Sequence, residues 1–201
     1  MTAIIDYGSG NLYSLSRSLR FLGTDCAVTS DKAEIARADR LILPGVGAFG
    51  DAAAKLARHG LDETITAQAR SGKPLLGICL GMQLLYEESL EFGRHKGLGL
   101  LPGVVRPLRG VINGGLKIPH MGWNDLTVLK KNPLLDLGAK PYVYFVHSFF
   151  AGVSGCSIAK TSYGGAEICA VAGRGNVFGT QFHPEKSGDK GLTILKAFCA
   201  L

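Results

Sequence analysis

The chain has 201 residues and a formal net charge of +6, from 22 lysines and arginines against 16 acids. Hydrophobic residues make up 46% and charged residues 19%, a composition that excludes a disordered chain and suffices for a substantial core. No stretch approaches the ~18 consecutive apolar residues of a membrane span, and the first residues lack the basic segment of a signal peptide, so we expect no membrane partner.

The first half of the chain alternates predicted strands and helices. Asn11 can cap the first helix, and Gly23 lies just past its end. The predicted strands cover residues 3–5, 27–29, 41–43 and 74–78. The predicted helices cover residues 12–22, 33–38, 52–58 and 61–70, and a further helix starts near Leu80. This order indicates a parallel sheet covered on both faces.

The second half is predicted to be mostly antiparallel. Strand candidates cover residues 104–108, 117–123, 142–146, 157–163, 166–172 and 177–182, and a final helix covers 192–200. Gly164-Gly165 is a good hairpin turn between two of these strands. We therefore predict one α/β domain over residues 1–201, with a largely parallel central sheet flanked by helices and an antiparallel extension.

The charge excess lies entirely in residues 106–201, which hold eleven basic and five acidic residues. The basic residues are scattered, so no segment is typical of a nucleic-acid-binding arm, and no nucleic-acid partner is expected. An ordinary solvated surface is the favoured interpretation, and a positive face for an anionic ligand or an acidic partner is the alternative.

The five cysteines show no CxxC pair, which favours free thiols and the cytoplasm. No histidine pair has metal-ligand spacing, so neither a metal nor a cofactor is expected. His59 and His95 are interpreted as surface residues.

Cys79 has the most informative surroundings of the five cysteines. It follows an apolar strand, precedes a helix, and stands between Gly77 and Gly81, a cysteine version of the nucleophile elbow. The N-terminus of the helix favours the thiolate, and the Leu80 N–H is placed to bind an oxyanion. The alternative is a small buried cysteine at a strand end.

A cysteine nucleophile needs a base, and His183 in Phe182-His183-Pro184-Glu185 is the best candidate. In an extended segment, residues i and i+2 point the same way, so Glu185 can orient the His183 imidazole. The alternative for His183 alone is a histidine that merely ends a strand. The loop after the 41–43 strand, Pro44–Phe49, lies at the same sheet edge as Cys79. It lacks the residues of a phosphate-binding loop, and its other interpretation is a plain turn.

These residues resemble the class I, or triad, glutamine amidotransferases. The Gly77–Gln83 elbow and the His183-Pro184-Glu185 motif carry that resemblance. Further segments narrow it to the glutaminase subunits of imidazole glycerol phosphate synthase, an enzyme of histidine biosynthesis. These segments are Asp6–Leu12, Pro44–Phe49, Pro119–Asn124, Tyr144–Ser148 and His183–Ser187. One departure is Phe149-Phe150, where tyrosine is expected at one or both positions.

The resemblance implies a thioester mechanism for glutamine hydrolysis. Cys79 attacks the glutamine side-chain amide, His183 acts as base and then as acid to ammonia, and Glu185 orients His183. The Leu80 N–H and an N–H from Val46-Gly47 supply the oxyanion donors. In the family the second of these donors is often misplaced until the partner carries its ligand. Gln83 and the backbone of His147, Ser148 and Phe149 hold the α-groups of glutamine.

The resemblance also implies a partner, a (β/α)₈-barrel cyclase subunit (HisF) that forms a heterodimer with this chain. Ammonia passes directly into that subunit, which forms imidazole glycerol phosphate and an aminoimidazole carboxamide ribotide. The interface residues implied are His120, Met121, Trp123, Asn124 and Lys186. Taken alone, Trp123 is more often a core aromatic and Lys186 a solvated lysine.

Three other functions are weighed against this one. The first is a class I amidotransferase that serves another synthase, and the segment His120–Asn124 argues against it. The second is a catalytically silent binding subunit, which the intact Cys79, His183 and Glu185 oppose. The third is a cysteine peptidase, for which no peptide-seating feature is found.

Overall fold

The computed structural model describes residues 1–113, 115–135 and 141–201. Its helices are α1 (Leu12–Phe21), α2 (Lys32–Arg37), α3 (Phe49–Arg58), α4 (Leu61–Arg70), α5 (Leu80–Leu84) and α6 (Gly188–Cys199). Its first seven strands are β1 (Thr2–Ile5), β2 (Cys26–Thr29), β3 (Arg40–Leu43), β4 (Leu75–Ile78), β5 (Tyr86–Ser89), β6 (His95–Lys96) and β7 (Leu101–Pro107). The other strands are β8 (His120–Asp125), β9 (Thr127–Val128), β10 (Tyr142–His147), β11 (Phe149–Ala151), β12 (Ser157–Tyr163), β13 (Ala166–Arg174) and β14 (Val177–Thr180).

The central sheet has the strand order β2-β1-β3-β4-β14-β13-β12-β9 in the described part of the chain. In that order, the first five strands, from β2 to β14, pair in parallel with their neighbours. The last three pairs, β14-β13, β13-β12 and β12-β9, are antiparallel. The predicted α/β class is therefore confirmed, with a parallel half and an antiparallel extension.

Alternation along the strands divides the core between the two faces of this sheet. Ile5 and Leu43 belong to the cluster that holds the buried side chains of α2, α3 and α4. Ile4 and Ile42, one residue away on the same strands, belong to the cluster with the buried side chains of α1 and α6. Because successive strand residues point to opposite faces, an almost continuous apolar strand supplies both layers.

Two smaller sheets lie beside the central one. Strands β10 and β8 form an antiparallel ribbon, and a second sheet has the order β11-β7-β5-β6. The sequence did not predict β5, β6, β9 or β11. Each has four residues or fewer, too short to show a period of two, and β5 carries two acids.

Several predicted boundaries were wrong. The strand predicted at 117–123 covers residues 120–125, and the one predicted at 177–182 ends at Thr180. The final helix begins at residue 188 instead of 192. Its first turn contains Gly188 and Gly191, which carry no apolar periodicity. Gly191 is needed there because a Cβ would stand 1.9 Å from the carbonyl oxygen of Pro184.

The topology gathers three strand ends at one edge. β3, β4 and β14 are parallel neighbours, and their carboxyl ends lead into loop 44–48, Cys79 and residues 181–183. Ligands bind at this edge of an open α/β sheet. Among the described residues, no helix is long and apolar enough to cross a membrane.

Candidate active site

Cys79 occupies a strained turn between β4 and α5. Its backbone lies in the positive-φ region, with φ 54° and ψ −111°, which is costly for a residue with a side chain. Its N–H donates to the carbonyl oxygen of Thr180 at 2.7 Å, which anchors the turn to β14. A Cβ on Gly81 would stand 1.8 Å from the carbonyl oxygen of Leu43. The elbow thus requires glycine where the sequence has it.

His183 and Glu185 meet as predicted, although the geometric reason given for it was wrong. His183 is extended, with φ −98° and ψ 100°, but Glu185 lies on the 3₁₀ turn Pro184–Lys186 that follows at once. The turn still brings Glu185 Oε1 to 2.9 Å from His183 Nδ1. Both side chains are 2% exposed, so the ion pair is protected from water.

The backbone around His183 is fixed from three directions. Its N–H donates to the Tyr144 carbonyl oxygen at 3.0 Å. The Ser187 hydroxyl donates to the His183 carbonyl at 2.6 Å and accepts from the Tyr144 N–H at 3.0 Å. Burial by itself lowers the pKa of His183, but its interactions with Cys79 and Glu185 outweigh this effect and raise the pKa to about 9. The imidazolium form of His183 is therefore stabilised.

Asn11 has a different role from the predicted one. It precedes α1, but its side chain makes no capping hydrogen bond. Its Nδ2 instead donates to Glu185 Oε1 at 3.3 Å. Asn11 therefore extends the Cys79–His183–Glu185 triad by one more group.

The triad opens on a cavity of about 330 Å³. All seven residues predicted to bind the oxyanion or the substrate line it, together with Cys79 and His183: Val46, Gly47, Leu80, Gln83, His147, Ser148 and Phe149. A larger cavity of about 800 Å³, between α3 and α4, contains no triad residue. Because the smaller cavity is lined by Cys79 and His183, it is the candidate active site.

The two predicted oxyanion donors differ in their surroundings. The Leu80 N–H lies at the start of α5, where first-turn N–H groups have no acceptor within the helix. Val46 is held by Ser9, whose hydroxyl donates to the Val46 carbonyl at 2.6 Å and lies 3.4 Å from the Val46 nitrogen. Gly47 follows with φ 95°. In this structure the Val46 N–H therefore faces Ser9.

Gln83 lies in the wall of the cavity, but its amide nitrogen is already occupied. That nitrogen donates to the Phe149 carbonyl at 2.8 Å and to Gln181 Oε1 at 3.1 Å. The Gln83 Oε1 atom is the group left for a ligand.

Glu91 lines the same cavity and was missed from the sequence. It is 8% exposed and accepts a hydrogen bond from the Phe49 N–H at 2.7 Å. Burial raises the pKa of this carboxyl. The sequence signal was weak because two acids precede Glu91 within four residues, and the group resembles an ordinary charged surface.

Strand β8 presents the aromatic segment to solvent. Met121 is 61% and Trp123 55% exposed, which excludes the core interpretation of the tryptophan. The alternate residues His120 and Asn124 turn inward, and His120 is buried. Lys186 is exposed at the turn beside the triad.

His95, predicted at the surface, is half-buried because its ring packs on Gly50.

Within the described ranges, no group of three or more His, Cys, Asp or Glu side chains could hold a metal ion. All five cysteines are free.

Comparison with known proteins agrees with this geometry. The family model described as glutamine amidotransferase class-I matches residues 3–200. The imidazole glycerol phosphate synthase subunit HisH of Listeria monocytogenes serotype 4b is 49% identical over 98% of this chain and 94% of its own length. The subunit HisH of Geobacillus thermodenitrificans is 50% identical over 100% of this chain and 96% of its own length.

Solved structures show the same fold at lower identity. The structure of PurLQS from Thermotoga maritima matches with a TM-score of 0.75 and 23% identity, and the match covers 98% of this chain and 96% of that one. A crystal structure of a glutamine amidotransferase matches with a TM-score of 0.76 and 19% identity over 99% of both chains. The chain belongs to the class I glutamine amidotransferases and, within them, to the family of HisH subunits of imidazole glycerol phosphate synthase.

Proposed function

We propose that this chain is the glutaminase subunit of imidazole glycerol phosphate synthase and hydrolyses glutamine to glutamate and ammonia. The observation that carries the proposal is that Cys79 and His183 line one cavity, with Glu185 bonded to His183. The identity to HisH subunits over nearly the whole chain supports it. Residues 1–201 act as one domain in this proposal, since the family match spans residues 3–200.

The triad performs the reaction in two halves. Cys79 gives its proton to His183, and its sulfur attacks the carboxamide carbon of glutamine. The resulting tetrahedral oxyanion is bound by the Leu80 N–H and a second N–H from Val46-Gly47. It collapses to a γ-glutamyl thioester as His183 returns the proton to the departing ammonia. Water, activated by His183, then releases glutamate and restores the thiol.

The cavity wall supplies contacts for the α-groups of glutamine. The buried carboxylate of Glu91 is suited to the substrate ammonium, since buried charges are stable only when paired. Gln83 Oε1 is a second acceptor at the same wall. Backbone groups of His147, Ser148 and Phe149 are the contacts proposed for the α-carboxylate.

The ammonia is delivered to a (β/α)₈-barrel cyclase subunit, HisF, in a heterodimer. Met121 and Trp123 form an exposed apolar patch, and Lys186 adds a positive charge near the triad. Aromatic residues and methionine are enriched at the cores of protein interfaces. We place the complex in the cytoplasm, which the five free cysteines support.

Glutaminase assays with and without the cyclase test this proposal. We expect weak glutamate release by the chain alone and strong stimulation by the cyclase with its ribotide ligand. Cys79→Ala abolishes release, while the matched control Cys26→Ala, at a half-buried cysteine away from the cavity, leaves it unchanged. Full activity that is indifferent to the cyclase would overturn the assignment, and stimulation by the synthase of another pathway would favour the alternative amidotransferase.

A further inference from the structure

Gln181 has no part in the proposed mechanism, yet its side chain reaches the nucleophile. It follows β14, two residues before His183, and is completely buried. Its Nε2 atom lies 3.9 Å from Cys79 Sγ. On another side of the sulfur, the Val146 carbonyl oxygen lies 3.7 Å away and accepts the thiol hydrogen. The sulfur thus has a hydrogen-bond acceptor and a hydrogen-bond donor as neighbours.

Chemistry fixes which end of the Gln181 amide faces the sulfur. A backbone carbonyl only accepts hydrogen bonds, so the Gln83 atom 2.8 Å from the Phe149 oxygen must be nitrogen. The same nitrogen lies 3.1 Å from Gln181, so the Gln181 atom facing it must be oxygen. The Gln181 nitrogen is therefore left to face Cys79. This orientation follows from the network and does not depend on how the amide was assigned.

Two histidines fix the donor and acceptor roles at the Phe149 end of this network. His147 Nδ1 lies 3.0 Å from the Phe149 oxygen and must donate to it. In a neutral ring, His147 Nε2 then accepts from His120 Nδ1, which lies 3.0 Å away. His120 Nε2 in turn accepts from Asn124 Nδ2 at 3.3 Å. Burial lowers the pKa of His120 to about 4 and that of His147 to about 3, so both rings are neutral.

We propose that Gln181 is a further catalytic residue, whose side-chain N–H stabilises the Cys79 thiolate. When His183 takes the thiol proton, the sulfur becomes a charged acceptor with the Gln181 N–H still directed at it. A hydrogen bond to a charged acceptor is roughly twice as strong as a neutral one. Because Gln181 is neutral, it stabilises the thiolate without competing with His183 for the proton. The catalytic meaning of this contact rests on the proposed function.

Alkylation of Cys79 by iodoacetamide tests this contact without glutamine or a partner. The rate is followed against pH by mass spectrometry of the Cys79 peptide, since only the thiolate reacts readily. Gln181→Glu, nearly equal in volume, replaces the N–H by a carboxyl oxygen. We expect the midpoint of the pH profile to rise by about one unit. On the acid side of the profile, where the thiolate is the minor form, the rate then falls about tenfold, which is about 1.4 kcal/mol. Gln68→Glu, the same change on α4, serves as the matched control and leaves the profile unchanged.

A second variant guards against a folding defect. Gln181→Met has a similar unbranched shape and removes the donor without adding charge, and we expect a fall of about threefold on the acid side of the profile. Circular dichroism shows whether each variant is folded. The titratable groups near the sulfur are His183 with Glu185, His147, Glu91 and Tyr7, and all remain in both variants.

The outcomes separate this inference from the proposed function. Folded variants with the wild-type alkylation profile would overturn the role of Gln181, whatever the glutaminase assay shows. Shifted profiles of the two variants, in the case that the wild-type chain releases no glutamate even with the cyclase and its ribotide ligand, would uphold the contact with Cys79 and refute the proposed function.

Discussion

His147 makes the stability of this protein depend on pH in a direction that can be calculated. Its ring is 6% exposed and donates to the Phe149 carbonyl oxygen. Burial, together with the neighbouring His120, lowers the pKa of His147 from 6.5 to about 3. The folded chain therefore keeps this ring neutral under conditions in which the unfolded chain binds a proton.

The sign and size follow from proton linkage. Because the pKa of the folded state is the lower one, the stabilising contribution is complete above pH 6.5 and is lost as the pH falls toward 3. At pH 5 the unfolded chain binds nearly one more proton at this site. Integration between pH 7 and pH 5 gives a loss of about 2 kcal/mol in the free energy of unfolding.

Urea unfolding at pH 7, 6 and 5 measures this loss. His147→Asn keeps a donor for the Phe149 carbonyl but does not titrate, so its loss between pH 7 and pH 5 is about 2 kcal/mol smaller than that of the wild type. His59→Asn, at an exposed histidine, is the matched control and behaves as the wild type. Equal losses for the wild type and His147→Asn would refute the assignment of a neutral buried ring.

Two further predictions concern the oxyanion side of the site. Gly81→Ala places a Cβ 1.8 Å from the Leu43 carbonyl oxygen, so the free energy of unfolding falls by more than about 3 kcal/mol; an unchanged thermal melting temperature would contradict the tight elbow. Ser9→Ala removes the hydroxyl that holds Val46, and because a hydrogen bond contributes about 0.5–1.5 kcal/mol, partner-independent glutaminase activity rises about two- to tenfold. The matched control, Ser71→Ala, removes an exposed hydroxyl bonded to a backbone carbonyl on α4 and leaves the activity unchanged. A fall in activity with Ser9→Ala would contradict the prediction and show that Ser9 supports the active conformation of the loop.

The parallel half of the fold was predictable because its signals are local. Apolar strands of four residues, such as β3 and β4, alternate with amphipathic helices, and glycines fix the elbow at Cys79. The His183–Glu185 contact was also predicted, although the actual reason is a turn and not an extended segment. A spacing of two residues brings the side chains together in either case, so the right pair was found from the wrong geometry.

The missed features depend on contacts between residues distant in sequence. Glu91 becomes a cavity residue only because β5 leads its loop toward Phe49, 42 positions away. Asn11 satisfies every local rule for a helix cap, yet its side chain binds Glu185, 174 positions away. Gln181 reaches Cys79 across 102 positions. Local propensity cannot rank such contacts, because each competes with an equally acceptable local hydrogen bond.

The triad and the predicted oxyanion loop around Val46 differ in their hydrogen bonds, and under the proposed function this difference bears on control of the reaction. Cys79 and His183 line one cavity, and Glu185 is bonded to His183. Val46, in contrast, is bound to Ser9. Under the proposed function Val46-Gly47 supplies one of two oxyanion donors, and loss of one such donor costs about 100- to 1,000-fold in rate. We therefore expect a chain in this state to stabilise the tetrahedral intermediate poorly. If control acts on the loop around Val46, the triad does not have to rearrange. Under the proposed function, such control suits a glutaminase whose ammonia is useful only when the partner subunit holds an acceptor.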